Sequence, residues 1–176
     1  MQVALRSFYN TFATSGDLQD LVNFLQKPQI DQAFVRPLSQ RDVSIDARVH
    51  STFQKGFWLL AKHEDIIVGC RGCKGIVDCE KGILEFTTTA IDPAFQRQGL
   101  GTLLFQRGIA AALERYTPRL LRIDSWSGNT RLEKLVTKMG FVKSRTYDDP
   151  TKRPAGVLSV EYILDCSGLY VHRVAS

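Results

Sequence analysis

One continuous stretch, Ile83 to Thr102 (ILEFTTTAIDPAFQRQGLGT), holds both a lone carboxylate and a closely spaced glycine pair. Glu85 is the one ionisable residue between Ile83 and Ile91, a run of β-branched and apolar residues that favours a strand. A carboxylate in such a strand is costly unless it is solvated, paired or used, so Glu85 is either a general base or water-orienting group or a solvated edge residue. Gly99 and Gly101 precede the helical stretch Leu103 to Tyr116. Glycines at a strand-to-helix turn let an anion approach the backbone, and the helix start supplies unpaired N–H groups. A phosphate-bearing ligand is the first expectation; a plain helix start is the alternative use of the same glycines.

The elements that must position these groups follow from the flanking sequence. Asp92-Pro93 ends the strand, and six strand steps from Glu85 to Ile91 cover about 20 Å, enough for a ligand anchored at the loop to extend back toward Glu85. Thr87 and Thr89 are expected on the same side as Glu85. Leu120 to Asp124 reads as the next strand, and a right-handed crossover through the intervening helix makes it parallel to the first. Asn129 reads as the helix cap for NTRLEKLVTKMGF, in which Leu132, Leu135, Val136 and Met139 share a face and Gly140 suits a left-handed stop. The loop lacks both the six-residue G-x-G-x-x-G fingerprint and the Gly-Lys-Ser/Thr of an ATP-binding loop, which argues against a nucleotide fold built on either.

Asp92 to Thr102 resembles the pyrophosphate loop of the GNAT superfamily of acyl-CoA-dependent N-acyltransferases, with its Gln/Arg-x-x-Gly-x-Gly/Ala motif, and Asn129 to Phe141 resembles the same family's following helix. The resemblance covers about residues 57 to 147 and implies one GNAT-like domain spanning residues 1–176, an α/β fold with a mixed, mainly antiparallel central sheet flanked by helices. It implies acetyl-CoA as cofactor, bound by Gln96, Arg97, Gln98, Gly99, Leu100, Gly101 and Thr102 at the diphosphate, by Ala90 and Ile91 at the pantetheine amides, and by Asn129 at the cofactor arm. Glu85 resembles the glutamate that serves as base in transfer to a primary amine. The sequence departs from the family at Val136, where many members carry the tyrosine that protonates the leaving thiolate; Tyr147, Tyr162 or water are the substitutes. That departure keeps open an alternative, a non-catalytic acyl-CoA-binding sensor or protein-interaction module.

The whole chain sets bounds on partners. Its 176 residues are 44% hydrophobic, enough for a full core in a single domain. Of the formal charge of +5, five arginines and one glutamate between Arg97 and Arg122 contribute about +4, a bias suited to a polyanionic cofactor or to a solvated helix face. No basic run interleaves with aromatics, no stretch is apolar enough to cross a membrane, and no signal peptide is recognisable, so the expectation is a cytoplasmic protein without nucleic-acid or membrane partners. A small-molecule amine or a peptide amine is the expected acceptor, and a homodimer is admissible. Cys70-Arg71-Gly72-Cys73 falls in a strand rather than at a helix start, so reduced thiols and no metal are expected. His63 reads as an exposed turn residue.

Strands are expected at Val3 to Phe8, Phe57 to Lys62, Ile66 to Val77, Phe141 to Tyr147 and Gly156 to Leu164, the last with one mostly buried face. A helix with Leu18, Leu21, Val22 and Leu25 inward should close at Pro28, and a second should span Ser39 to Phe53 with Val43, Val49 and Phe53 inward. The region from Gln29 to Phe57, which the resemblance assigns to the acceptor pocket, carries the weakest signal.

Overall fold

The computed structural model describes residues 8–169. Seven strands form one sheet in the order β1-β2-β3-β4-β5-β7-β6, where β1 is Tyr9–Phe12, β2 Phe57–His63, β3 Ile66–Asp78, β4 Ile83–Ile91, β5 Leu120–Trp126, β6 Val142–Tyr147 and β7 Ser159–Asp165. Every pairing is antiparallel except β4 with β5, the strands joined by the expected crossover. The mixed, mainly antiparallel sheet is thus as the sequence predicts. Glu64 and Asp65 turn β2 into β3 with φ of 49° and 64°, the left-handed pair required by a two-residue hairpin. The strand expected at Val3 to Phe8 lies almost wholly outside the described residues.

Alternation along the strands divides the core in two. Phe57, Leu59, Cys73, Leu84, Phe86, Leu121 and Ile123 pack beneath α4 (Leu100–Tyr116) and α5 (Thr130–Lys138). Trp58, Leu60, Cys70 and Ala90 face the other way, against α1 (Leu18–Gln26) and α3 (Ile45–Lys55). The fully buried Trp58 indole donates to the Val49 carbonyl at 3.1 Å, which fixes α3 on the sheet without leaving a polar atom orphaned. Cys70 and Cys73 therefore sit on opposite faces; all four cysteines are free, and burial pushes those two thiols up to about 12 and about 11.

Several expectations need adjustment. Pro28 closes α1 but also opens the short α2 (Pro28–Asp31), since proline is tolerated in a first helical turn. Helix α3 begins at Ile45, capped by Ser44, which accepts from the Ala47 amide; Val43 is consequently outside it and exposed, whereas Val49 is buried. In β7 both faces are covered from Ser159 to Tyr162, because Glu161 is buried by salt bridges to Arg145 at 3.0 Å and to Arg122 at 3.9 Å. Gly140 has the predicted left-handed φ, 89°, and the Phe141 amide closes back on the Val136 carbonyl at 3.0 Å.

Candidate functional site

The site begins where the parallel pair comes apart. β4 and β5 are paired only from Ile83 and Leu120 to Phe86 and Ile123, yet β4 continues to Ile91 beside β3 and β5 continues to Trp126 beside β7. Beyond Phe86 the β5-facing edge of β4 therefore has no strand partner among the described residues, and a cleft of about 780 Å³ opens there. Glu85, Ala90, Ile91, Gln96, Arg97, Gly99, Leu100, Gly101, Thr102 and Asn129 all line this cleft. Of the predicted site residues only Gln98 does not; its side chain is exposed.

At one end lies the glycine loop. Gly99 has φ of 80°, a left-handed value that a side chain adopts only with strain, and a Cβ built there or at Gly101 would meet nothing within 4 Å. The first intrahelical bond of α4 runs from the Leu103 amide to the Gly99 carbonyl at 3.0 Å. The amides of Leu100, Gly101 and Thr102 therefore have no partner within the helix and form an open, positively polarised cradle. Arg97, at φ 61°, is exposed beside it. The Gln96 side chain donates to the Ile91 carbonyl at 3.1 Å, tying loop to strand, while Asn129 caps α5 by accepting from the Leu132 amide at 3.2 Å and donates to the Ser125 hydroxyl at 3.1 Å. An open backbone cradle, continuous with an unpaired strand edge, fits a diphosphate with an extended arm.

Midway, β4 carries a bulge. Arg71 pairs with Thr89 while Cys73 pairs with Phe86, so β4 spends one more residue than β3 over this interval. Thr89 is thereby turned to the Phe86 side of the sheet and does not share Glu85's side; the expected alternation fails because the bulge inverts it. Glu85 is 6% exposed and accepts from Lys74 Nζ at 2.5 Å and from Arg122 Nε at 3.1 Å. Burial pushes its carboxyl up, but Lys74 and Arg122 together outweigh burial and leave it below the ordinary carboxylate value. Glu85 is thus a paired carboxylate at the cleft wall.

Four residues of the cleft were not singled out in the sequence. Arg71 is 1% exposed, its guanidinium 3.4 Å from the centre of the Phe105 ring and 4.1 Å from that of Phe86. It donates to the Thr89 hydroxyl at 2.8 Å, but its Nε and Nη2 have no partner among the described residues. Asp124, the first residue of β5 past the split, binds Lys152 Nζ at 3.1 Å through Oδ2, and its buried Oδ1 is likewise unpartnered. Arg48 and Arg153 line the cleft as well. Arg71 and Asp124 sit in segments read as strands, and Arg48 and Arg153 in weakly patterned ones; the surroundings of each are set by tertiary partners distant in sequence. Val136 is fully buried, and neither Tyr147 nor Tyr162 lines the cleft. Among the described residues no group of three or more His, Cys, Asp or Glu side chains is arranged to hold a metal ion, and no helix is long and apolar enough to cross a membrane.

A central sheet split beside a glycine-loop helix start is what the resemblance of Asp92 to Thr102 to the GNAT loop leads one to expect, and the comparisons agree. A sequence profile described as the acetyltransferase (GNAT) family matches residues 19–141. The chain belongs to that family. No curated protein matches it. Among solved structures, the GNAT-family acetyltransferase from Streptococcus pneumoniae superposes with a TM-score of 0.73 at 17% identity, covering 90% of this chain and 99% of that one. The ribosomal-protein-S18-alanine N-acetyltransferase from Escherichia coli gives 0.69 at 16% identity, covering 90% and 94%. The yncA protein from Salmonella typhimurium, whose structure holds its cofactor acetyl-CoA, gives 0.68 at 18%, also covering 90% and 94%. At these identities the likeness is one of fold.

Proposed function

We propose that the protein is an N-acetyltransferase that moves an acetyl group from acetyl-CoA to a primary amine. The observation carrying this reading is the continuity of one cleft from the Gly99–Thr102 amides, along the unpaired edge of β4, to the carboxylates Glu85 and Asp124. Acetyl-CoA supplies an activated thioester. The amides of Leu100, Gly101 and Thr102 would hold its diphosphate, and the β4 edge at Ala90 and Ile91 its extended arm; the Ile91 carbonyl already accepts from Gln96, which leaves the backbone amides as the freer groups.

The acceptor arrives as an ammonium. It must lose one proton before its lone pair can attack and a second as the C–N bond of the amide forms and the C–S bond breaks; one proton goes to the departing thiolate and one to solvent. Glu85, held ionised by Lys74 and Arg122, is better suited to orienting a water that takes the first proton than to accepting it directly, because its proton affinity is lowered. Asp124, across the split with Oδ1 unpartnered, is the natural ligand for the ammonium. Arg71, buried under α4 between Phe86 and Phe105, holds Thr89 on the cleft-lining stretch of β4 through the hydrogen bond to its hydroxyl. Val136 supplies no acid, so the thiolate takes its proton from solvent.

The test is release of free thiol from acetyl-CoA in the presence of a panel of amines, with product mass confirming the amide. Glu85→Gln should lower turnover by about 10²-fold with CoA affinity nearly intact. Saturable CoA binding without turnover of any amine would favour the non-catalytic acyl-CoA-binding reading.

A further inference from the structure

Three guanidiniums lie near one another in the cleft, with Asp124 and Asp149 the acidic charges that act on Arg153. Arg41 lies just ahead of α3, Arg48 within it, and Arg153 on the connection between β6 and β7; all three line the cleft. Among the described residues none of the three is in an ion pair with an acidic side chain. Burial draws Arg41 down to about 10, and the positive charges of Arg48, Arg153 and Arg36 add to that effect. Asp31 opposes them, but its carboxylate already accepts from the Ser39 amide at 2.9 Å and the Ser39 hydroxyl at 2.5 Å.

The donors left over point to a ligand. Arg153 is 6% exposed; its Nη2 donates to the Ser125 carbonyl at 2.9 Å and its Nη1 to the Lys152 carbonyl at 3.2 Å, while its buried Nε has no partner among the described residues. Arg48 Nε is buried and unpartnered as well. The arrangement is held on purpose-built contacts: Arg36 Nη1 donates to the carbonyls of Pro150 and Thr151, both at 2.8 Å, and so clamps the connection bearing Arg153 to the segment bearing Arg41. Like charges gathered and partly desolvated with idle N–H donors are a binding site for an anionic group, and a guanidinium matches a carboxylate in geometry. Asp124, whose carboxylate also acts on Tyr147, keeps a buried Oδ1 with no hydrogen-bond partner among the described residues, and Phe34 and Trp126 give the cleft apolar walls.

We propose that this part of the cleft is an acceptor subsite for a small primary amine that also carries a carboxylate, with the carboxylate between Arg48 and Arg153 and the ammonium beside Asp124, as in a free amino acid. The transfer step rests on the function proposed above; binding at the subsite does not.

The experiment compares each of L-leucine, L-phenylalanine and L-lysine with its decarboxylated amine, alongside 2-aminoethylphosphonate, in the thiol-release assay. The amino acid of each pair should be favoured by about 10²-fold or more in kcat/KM, because its decarboxylated counterpart leaves buried donors unpaired. Arg48→Gln and Arg153→Gln should each erode that preference by about 10-fold or more while the KM for acetyl-CoA stays put. Equal or better use of the decarboxylated amines, a preference for the phosphonate over every amino acid, or an unchanged preference in folded Arg48→Gln would overturn the proposal. Calorimetric titration with N-acetyl-L-leucine against N-acetylisoamylamine gives a readout independent of turnover. Binding of the carboxylate alone, lost in Arg48→Gln, upholds the subsite even where no amine is acetylated, and absence of binding by the carboxylate overturns it.

Discussion

Replacing Glu85 by Gln removes one negative charge from between two cations, and the structure sets the size of the consequence. The carboxylate is 6% exposed and accepts from both Lys74 and Arg122. Deleting one member of a fully buried ion pair costs about 3–5 kcal/mol, because the other charge is left desolvated. Here the cation side chains are 34% and 23% exposed, and Arg122 retains Glu161 at 3.9 Å, so water and a second carboxylate relieve part of the loss. A cost of about 2 kcal/mol results, or about 4–8 °C in Tm for a chain of this size. The pH dependence has a definite sign. Because the folded-state pKa lies below the ordinary 4.5, the stabilisation is complete above that value and is lost as the pH falls through the lower folded one. Denaturant unfolding of wild type and Glu85→Gln should therefore show a wide gap at about pH 7 that narrows as the pH falls through the folded-state pKa of Glu85, which lies below 4.5. Equal stability at neutral pH, or a gap that widens on acidification, would refute the reasoning.

Three further outcomes follow from the packing. A Cβ at Gly108 would stand 3.1 Å from Arg71 Cδ and Nε, and the guanidinium is held between Phe86 and Phe105, so Gly108→Ala should destabilise by about 1 kcal/mol even though alanine is the better helix former; denaturant titration decides the sign. Thiol labelling of the native protein should modify Cys79, which is exposed, well before Cys70, Cys73 or Cys166, which are buried, and uniform labelling would contradict the fold. Asp17, lowered to about 2 chiefly by its hydrogen bond from Lys62 at 2.6 Å, should contribute about 2 kcal/mol above its ordinary value of 3.8 and lose it as the pH falls toward 2; Asp17→Asn should be less stable at neutral pH and match wild type once both are acidified.

What was legible in the sequence was local. The Gly99 and Gly101 spacing, the Asn129 cap and the Gly140 stop each depend on backbone geometry within a few residues, and each stands where the sequence placed it. The bulge in β4 was not legible, because a register is a property of two strands and nothing in Thr87-Thr88-Thr89 records which β3 residue each will face. Arg71 was missed for a similar reason: its burial depends on the room left by Gly108 in α4 and on the rings of Phe86 and Phe105, all distant in sequence. Arg48 and Arg153 belong to the weakly patterned helix and the charged connection, and the Arg36 clamp that ties that connection to the segment ahead of the helix joins residues more than a hundred positions apart. Sequence periodicity locates the elements of the cofactor end well, whereas the acceptor end is made of segments whose meeting is purely tertiary.

The account stands most directly on a single calorimetric titration of CoA into wild type and Gly99→Glu. Gly99 combines a left-handed φ with open space where a side chain would project, so a glutamate there places bulk and negative charge over the Leu100, Gly101 and Thr102 amides. Saturable binding by wild type and a loss of about 10²-fold or more in a variant with an unchanged circular dichroism spectrum is the predicted result. Equal affinity in the two folded proteins, or no binding by wild type, would contradict the placement of the cofactor in this cleft.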